Sequence, residues 1–115
     1  MRLSTEFWVS AYVRQSQLAG DFTALMRRGA ERGGSIFIII NRLDGYADLY
    51  APAPQSMLGE NSDERVFTLA MEAASEEDVT SRIEKETRFD SDLWVIEREN
   101  RNAQHDLVIV DSTRS

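Results

Sequence analysis

The sequence lacks cysteine, and this absence removes several kinds of chemistry at once. With no thiol among the 115 residues, thiol catalysis, cysteine-ligated zinc and iron–sulfur clusters are excluded. The one histidine is His105, so a Ser-His-Asp triad would depend on that single residue. No Gly-x-Ser-x-Gly motif nominates a nucleophilic serine, and we expect His105 to be a solvent-exposed turn residue. The sequence therefore shows no recognisable catalytic motif, and we expect no cofactor.

Long hydrophobic runs are also absent. The longest uninterrupted apolar run extends from Ile36 to Ile40, far below the roughly 20 residues that a membrane-spanning helix needs. The first six residues have no apolar segment of the kind that a signal peptide carries. We therefore expect a cytoplasmic protein that has no contact with a membrane.

Basic residues are in the minority. Lys and Arg number 13 against 20 Asp and Glu, the formal net charge is −7 and the pI is about 4.7. Nucleic-acid binding depends on basic side chains that neutralise phosphates, so this balance makes a nucleic-acid partner unlikely. The exception is a group formed by Arg27, Arg28 and Arg32, with Arg14 in reach. Anion or nucleic-acid binding there is a weaker alternative to a hairpin flanked by solvated arginines.

The length fits one domain, residues 1–115, with residues 100–115 forming a possible final strand and a frayed tail. Area scaling indicates that about two thirds of the surface is buried on folding, enough to hold the chain together without disulfides.

Hydrophobic spacing predicts a first helix from Thr5 to Ala19, capped by Ser4 or Thr5 and ended by Gly20. We expect its buried side to carry Trp8, Ala11, Tyr12, Leu18 and Ala19. A short strand over residues 7–9 is the competing interpretation. A second element, the strand 21–28, follows and leads into a glycine-rich turn at residues 29–34.

The central part of the chain predicts a hairpin. The predicted strand 35–42 contains the β-branched and aromatic run Ile-Phe-Ile-Ile-Ile, which is apolar on both faces. This indicates a central strand that is covered on both sides, or covered on one side and packed against a partner on the other. Asp44-Gly45 favours a type I′ turn, and the returning strand spans residues 46–51. Pro52 and Pro54 end it and begin a loop over residues 52–65.

The last part alternates strand and helix signals. Residues 66–72 fit a strand or a helical stripe, and we choose the strand. Ser75 caps a surface helix whose firm apolar positions are Val79 and Ile83. A strand is predicted at 93–99, and an optional last strand at 107–110. The expected fold is α+β: a mainly antiparallel sheet of four to six strands with two helices, in the order α-β-β-β-β-α-β(-β).

Acidic residues offer one enzymatic alternative. Asp44, Asp48, Asp90 and Asp92 would form a metal-dependent hydrolase site if they converged. The order of elements also matches the core of restriction-endonuclease-like nucleases. Those enzymes carry an acidic-x-Lys motif in the hairpin strands, whereas the single lysine here is Lys85, on the second predicted helix. The structural roles of these carboxylates in turns and helix ends are the preferred interpretation.

A binding or accessory module is the function that we favour. Met57 and Leu58 are apolar residues in a long polar loop, where they either close the loop onto the core or form a docking patch. The partner would be another protein or a second copy of the chain, through this loop or through a sheet edge. The candidate binding residues are Arg27, Arg28, Tyr50, Pro52, Pro54, Gln55, Met57, Leu58 and Trp94.

Several stretches of this chain occur together in one known family. They are Glu6-Phe7-Trp8-Val9-Ser10-Ala11-Tyr12, Arg27-Arg28-Gly29-Ala30-Glu31, Leu43-Asp44-Gly45, Leu49-Tyr50-Ala51-Pro52-Ala53-Pro54-Gln55 and Arg88-Phe89-Asp90-Ser91-Asp92-Leu93-Trp94. In these motifs the sequence resembles a small alphaproteobacterial family, domain of unknown function 1491, over residues 3 to about 99. The resemblance implies a bacterial, cytoplasmic origin, and it carries over no catalytic residue and no cofactor.

Overall fold

A computed structural model describes residues 4–54 and 65–110. These residues form two helices and six strands in one sheet. In chain order the elements are α1 (Thr5–Leu18), β1 (Thr23–Arg27), β2 (Ile36–Asn41), β3 (Tyr46–Pro52), β4 (Val66–Ser75), α2 (Glu76–Phe89), β5 (Trp94–Glu99) and β6 (Val108–Ile109). The α+β class and the predicted order of elements are confirmed.

The sheet has the strand order β1-β5-β2-β3-β4-β6. The neighbours β1/β5, β2/β3 and β3/β4 are antiparallel, whereas β2/β5 and β4/β6 are parallel. The sheet is therefore mixed rather than purely antiparallel. The reason is that the chain returns through α2 and inserts β5 between β1 and β2, and a crossover of this kind makes a parallel pair.

The core lies on both faces of this sheet. On one face, Val9 and Tyr12 of α1 pack against Ile36, Ile38 and Ile40. The other face has its own cluster, formed by Phe37, Ala47, Leu49, Val79, Leu93 and Val95. Because successive residues of a strand point to opposite faces, β2 must be apolar on both sides, and the prediction of a doubly covered central strand is confirmed.

The first helix has its predicted start but a partly different buried side. Ser4 is the N-cap, and Leu18 ends the helix one residue before the predicted end. Gly20 follows with a φ of +99°. The predicted buried side was right for Tyr12 and for Trp8, which packs against the core, but wrong for Ala11 and Ala19, which are exposed, and for Leu18, which is 77% exposed. The residues buried on the helix are Thr5, Val9, Tyr12 and Ser16.

Two polar side chains are buried on α1 because they have partners. Ser16 donates a hydrogen bond of 2.7 Å to Oγ1 of Thr23, which lies at the start of β1. Thr5 accepts from the Gly33 amide and from Arg65. A hydrophobicity pattern cannot recognise such positions, because the partners are remote in sequence. Each helix has 14 residues, and neither is long and apolar enough to span a membrane.

The predicted hairpin forms, but its turn is not type I′. That turn needs a positive φ at both Asp44 and Gly45, whereas the positive values occur at Leu43 (64°) and Gly45 (93°). Side chains shape the loop instead: Asn41 accepts from the Leu43 amide at 2.8 Å, and Asp44 accepts from the Tyr46 amide at 3.0 Å. Asx turns of this kind replaced the turn that the dipeptide suggested.

The second half follows the predicted elements closely. The strand interpretation of residues 66–72 is confirmed, and β4 continues to Ser75, which is also the N-cap of α2. Val79 is the buried residue of α2, with Ile83 packed beside it. The possible last strand also forms, as the two residues of β6.

Candidate functional site

The outermost strand β1 carries an apolar surface. It pairs with β5 alone among the described strands, so its other side is a sheet edge. Phe22 is 66% exposed, Leu25 is 41% exposed and Met26 is 58% exposed. We call these three residues, together with the backbone of β1, the β1 edge. Large apolar side chains grouped at an unpaired strand are a typical feature of interaction sites.

The hydrogen-bond pattern defines which backbone groups of β1 point outward. The Glu99 amide donates to the Phe22 carbonyl at 2.9 Å, and the pairing continues with Ala24 opposite Glu97. Because amide and carbonyl directions alternate along an antiparallel strand, those of Thr23 and Leu25 point away from β5. The Thr23 carbonyl accepts a long 3.3 Å bond from Nε2 of Gln17, an exposed side chain.

The predicted arginine cluster is divided among different partners. Arg28 forms an ion pair with Glu6, and its guanidinium lies 5.2 Å from the centre of the Trp94 ring. Arg27 donates to the Ser91 carbonyl at 2.8 Å. Arg28 is therefore partly neutralised, so the cluster offers less positive charge to an anion than its sequence suggests.

Two of the aromatic candidates lie in the core. Trp94 is fully buried and donates through Nε1 to the Ala30 carbonyl at 2.8 Å. Tyr50 is also buried, with its ring centre 4.8 Å from that of His105. Gly29 explains the close packing near Trp94, because a Cβ at this glycine would lie 2.1 Å from the Asp92 carbonyl oxygen. Tyr50 and Trp94 are therefore core residues, and neither presents its ring to a binding partner.

A cleft of about 370 Å³ lies beside Pro52, at the end of the sheet where the parallel strands β2 and β5 begin. It is lined by Gly33, Gly34, Ser35, Ile36, Pro52, Ala53, Arg65, Val66, Phe67, Asp90 and Asp92. Pro54, which follows the lining residue Ala53 in the chain, is exposed. Gln55, Met57 and Leu58 lie outside the described residues. The cleft combines two carboxylates with a guanidinium, so its lining is polar and of mixed charge.

The acidic residues of the hydrolase hypothesis do not converge. Asp44 lies in the β2–β3 loop, while Asp90 and Asp92 line the cleft together with Pro52, at the other end of β3. Asp48 is buried and engaged by Arg42, at 2.8 Å, and by the Ala73 amide, also at 2.8 Å. Residues 4–54 and 65–110 contain no group of three His, Asp or Glu side chains arranged to hold a metal ion. The geometry that this hypothesis required is absent from the described chain.

His105 is partly buried, not solvent-exposed as predicted. Its ring contacts Tyr50, and Nδ1 accepts a 2.9 Å bond from the Leu107 amide. Burial lowers the pKa of His105 below its usual value, although the nearby Asp106 carboxylate opposes this. The ring therefore serves to attach the last segment of the chain to the sheet.

The sequence analysis missed a cluster of polar groups around the buried side chain of Arg98. Arg98 is 1% exposed, and its guanidinium donates to Asp21 (2.6 Å), to Asp106 (2.9 Å) and to the His105 carbonyl (3.0 Å). Burial opposes its charge, but hydrogen bonds with Tyr12, Asp21 and Asp106 outweigh this and raise the pKa of Arg98. One feature of the sequence could have indicated its burial. Residues 94, 96 and 98 alternate along the strand, so Arg98 lies on the same face as Trp94 and Ile96, which α1 covers.

The fold and its surface define a small α+β chain with a mixed sheet and an exposed apolar β1 edge. The chain belongs to the family described as "Protein of unknown function (DUF1491)", whose profile matches residues 3–108. The family resemblance seen in the sequence is thereby confirmed. No significant match occurs among curated proteins.

Solved structures of similar proteins extend this result. The solution structure of protein Atu0922 from A. tumefaciens is 39% identical, with a TM-score of 0.83 and 100% of each chain covered. A crystal structure of a DUF1491 family protein from Caulobacter crescentus is 30% identical, with a TM-score of 0.77, and covers 96% of this chain and 99% of that one. These relatives share the fold over nearly the whole chain.

Proposed function

We propose that this protein is a binding or accessory module whose β1 edge receives an extended segment of a protein partner. The observation that carries the proposal is the exposure of Phe22, Leu25 and Met26 along the outermost strand. An added strand gains main-chain hydrogen bonds from the edge and buries the side chains that flank it.

The other exposed strand segments are less suited to receive a partner strand. On the opposite side of the sheet, β6 has two residues and covers only the start of β4. The far half of β4 has two register shifts against β3, and the Ala73 amide is already bound by Asp48. Register shifts, and a charged side chain such as Asp48 that occupies a backbone amide, protect a strand from pairing with another chain. The segment from Phe22 to Met26, by contrast, contains no charged residue, and its register shift against β5 lies at its end, between Leu25 and Arg27.

In the same proposal, the cleft beside Pro52 is a second contact region for the partner. Pro52 lines it, and Arg28 lies over Trp94 at the adjacent glycine-rich loop.

We also propose a cytoplasmic location and a distribution centred on alphaproteobacteria. The relatives from Caulobacter crescentus and A. tumefaciens support the distribution. The cytoplasmic location rests on the sequence-based expectation.

Site-specific photo-crosslinking in the native bacterium tests the β1 edge. A photoreactive residue replaces Met26 in one strain, and in the control strain it replaces Val108, which is 49% exposed on the opposite edge. We expect discrete protein adducts from position 26 and few from position 108. Adducts of equal amount and equal mass from both positions would contradict a specific site at β1.

A further inference from the structure

We propose that the last described segment of the chain is a strap that acid releases: protonation of His105 frees residues 107–110 from the sheet. We call residues 105–110 the strap. After β5 the chain crosses the face of the sheet that α1 also covers, and it rejoins the sheet as β6 beside β4. The strap ends at the opposite margin of the sheet from the β1 edge, so this proposal does not rest on the proposed function.

The attachment of the strap includes a bond that only a neutral histidine can make. Nδ1 of His105 accepts a hydrogen bond of 2.9 Å from the Leu107 amide. A neutral imidazole has one nitrogen that accepts and one that donates, whereas both nitrogens of a protonated ring carry hydrogen. Protonation of His105 therefore removes the acceptor and places one N–H group against another.

The same bond fixes an unusual backbone conformation between the two residues. Asp106 has a φ of +58°, in the left-handed region that most L residues avoid, although aspartate tolerates it better than most. Its carboxylate pairs with Arg98 at 2.9 Å. Without the acceptor at His105, a return of Asp106 to a negative φ is favoured, and that rotation moves Leu107 away from its position.

Leu107 carries much of the apolar contact of the strap. It is only partly exposed and packs against the core cluster that includes Tyr50 and Phe67. The two residues of β6 bury less, since Val108 is 49% exposed and Ile109 is 37% exposed. Segments with few buried apolar contacts open at a low cost in free energy. Displacement of Leu107 is therefore sufficient to release the rest of the strap.

The charged groups around His105 do not favour a second positive charge. The Arg98 guanidinium of β5 donates to the His105 carbonyl at 3.0 Å, so an imidazolium would form close to an existing cation. Two carboxylates also interact with the ring, Asp106 of the strap and Asp48 of β3, but each is already paired with an arginine. Burial, with a smaller contribution from Arg98, lowers the pKa of His105, and the carboxylates oppose this only in part.

Two phenols complete the surroundings of the ring. Tyr12 of α1 and Tyr50 of β3 stay neutral because burial raises the pKa of both. The Tyr12 hydroxyl donates to the His105 carbonyl at 2.7 Å. This bond and the bond from Arg98 hold the main chain of His105 and not its ring, so they persist when the ring is protonated. Release therefore begins after His105 and extends to Val110.

Release uncovers the outer side of β4 at its start. In the attached strap, β6 pairs with Val66 and Phe67, and the Val110 amide donates to the Phe67 carbonyl at 2.8 Å. These backbone groups of β4 become free when residues 107–110 leave. A free strand edge can receive an extended segment of another chain. The strap thus covers this edge at neutral pH and opens it in acid.

The direction of the pH effect follows from the lowered pKa of His105. Above about pH 6.5, the ordinary pKa of histidine, the ring is neutral in both states and the strap has its full attachment. Below that value the released form binds the proton and the attached form does not, so release becomes easier by up to about tenfold per pH unit. The effect ends below the lowered pKa, where both forms are protonated.

Amide hydrogen exchange of the full chain, followed by NMR, measures this release. Rates are expressed relative to the intrinsic exchange rate at each pH, between about pH 7.5 and pH 5, where carboxylates stay largely ionised. We expect the amides of Leu107 and Val110 to lose protection by up to about tenfold per pH unit below about pH 6.5. The amide of Ile38, which is fully buried in β2, should keep its protection over this range.

Two variants assign the proton to His105. In His105→Asn the side-chain oxygen can accept from the Leu107 amide, as asparagine does in an Asx turn, but it does not titrate. The protection of Leu107 should then be independent of pH. Asp106→Asn is the matched control, because asparagine also tolerates a positive φ and His105 is retained. The pH dependence should persist in this control.

The proposal is wrong if the protection of Leu107 and Val110 in the wild type does not change with pH. It is also wrong if the pH dependence survives in His105→Asn, or if it disappears in Asp106→Asn. An equal loss of protection at Ile38 would show that acid unfolds the whole chain rather than releasing the strap, and would overturn the proposal as well.

Discussion

Arg98 donates through Nε to Oδ2 of Asp21 at 2.6 Å, although the two residues are 77 positions apart in the sequence. The same guanidinium holds Asp106 and the His105 carbonyl, so it joins β5, the segment between α1 and β1, and the residues that lead into β6. This one buried side chain therefore ties the inserted strand β5 to the residues that lead into β1 and to those that lead into β6.

Replacement of Arg98 by methionine should destabilise the protein strongly. The change keeps most of the volume but leaves Asp21 and Tyr12 without their charged partner. Removing one member of a buried ion pair costs about 3–5 kcal/mol. Urea unfolding followed by circular dichroism measures the loss. The matched control is Arg82→Met, which removes a partly exposed pair with Glu86 on α2 and should cost less than about 1 kcal/mol. Equal losses in the two variants would contradict the role assigned to Arg98.

Acid should weaken the Asp21 contact. Burial raises the pKa of Asp21, but hydrogen bonds from Arg98 and Asn100 outweigh it and leave the pKa below its usual value. A carboxyl group with a lowered pKa in the folded state stabilises the protein above its unfolded pKa, which is about 3.9. That contribution is lost as the pH falls from there through the folded pKa.

The measurement compares urea unfolding of the wild type and of Asp21→Asn from neutral pH down into acid. The free energy of unfolding should differ most at neutral pH, and the difference should shrink below about pH 4. A constant difference across this range would show that the charge of Asp21 does not contribute. Glu84→Gln on the exposed side of α2 serves as the control, with little difference at any pH.

Asp48 should matter for stability rather than for chemistry. Its buried carboxylate accepts from the Ala73 amide at 2.8 Å, where β4 departs from regular pairing and Ala73 adopts a φ of +48°. Asp48→Ala leaves this amide and Arg42 without their acceptor, and an unsatisfied buried group costs about 1–3 kcal/mol.

Thermal unfolding of Asp48→Ala tests this role. Asp44→Ala is the control, because Asp44 accepts from the Tyr46 amide at an exposed loop and should cost about 1 kcal/mol or less. A smaller loss for Asp48→Ala than for Asp44→Ala would show that β4 adopts its irregular pairing at Ala73 without this acceptor.

Local signals predicted the elements of this fold well. Ser4 and Ser75 cap the two helices, as the residues that follow each serine suggested. The apolar run at Ile36 identified the central strand because burial on both faces requires such a run. These features depend on residues within one turn or one strand, so the sequence contains all the information that decides them.

The residues of the β1 edge were not identified from the sequence, which named a sheet edge only in general. The sequence pointed to Arg27 and Arg28, to the loop after Pro52 and to aromatic residues, and it treated Phe22 and Met26 as ordinary strand positions. Exposure of Phe22 depends on β1 lying at the margin of the sheet, and strand order is not a local property. Likewise, Tyr50 and Trp94 are buried because other segments of the chain cover them.

The sequence by itself determined the class of this protein: a cysteine-free, acidic α+β chain without a catalytic motif. It did so because composition, capping and hydrophobic periodicity act over short distances along the chain. Only the tertiary structure decided that β5 enters between β1 and β2, that Arg98 is buried among three segments, and that the β1 edge is left open. Each of these depends on contacts between residues far apart in the sequence, whose free energy exists only after the strands have been placed side by side.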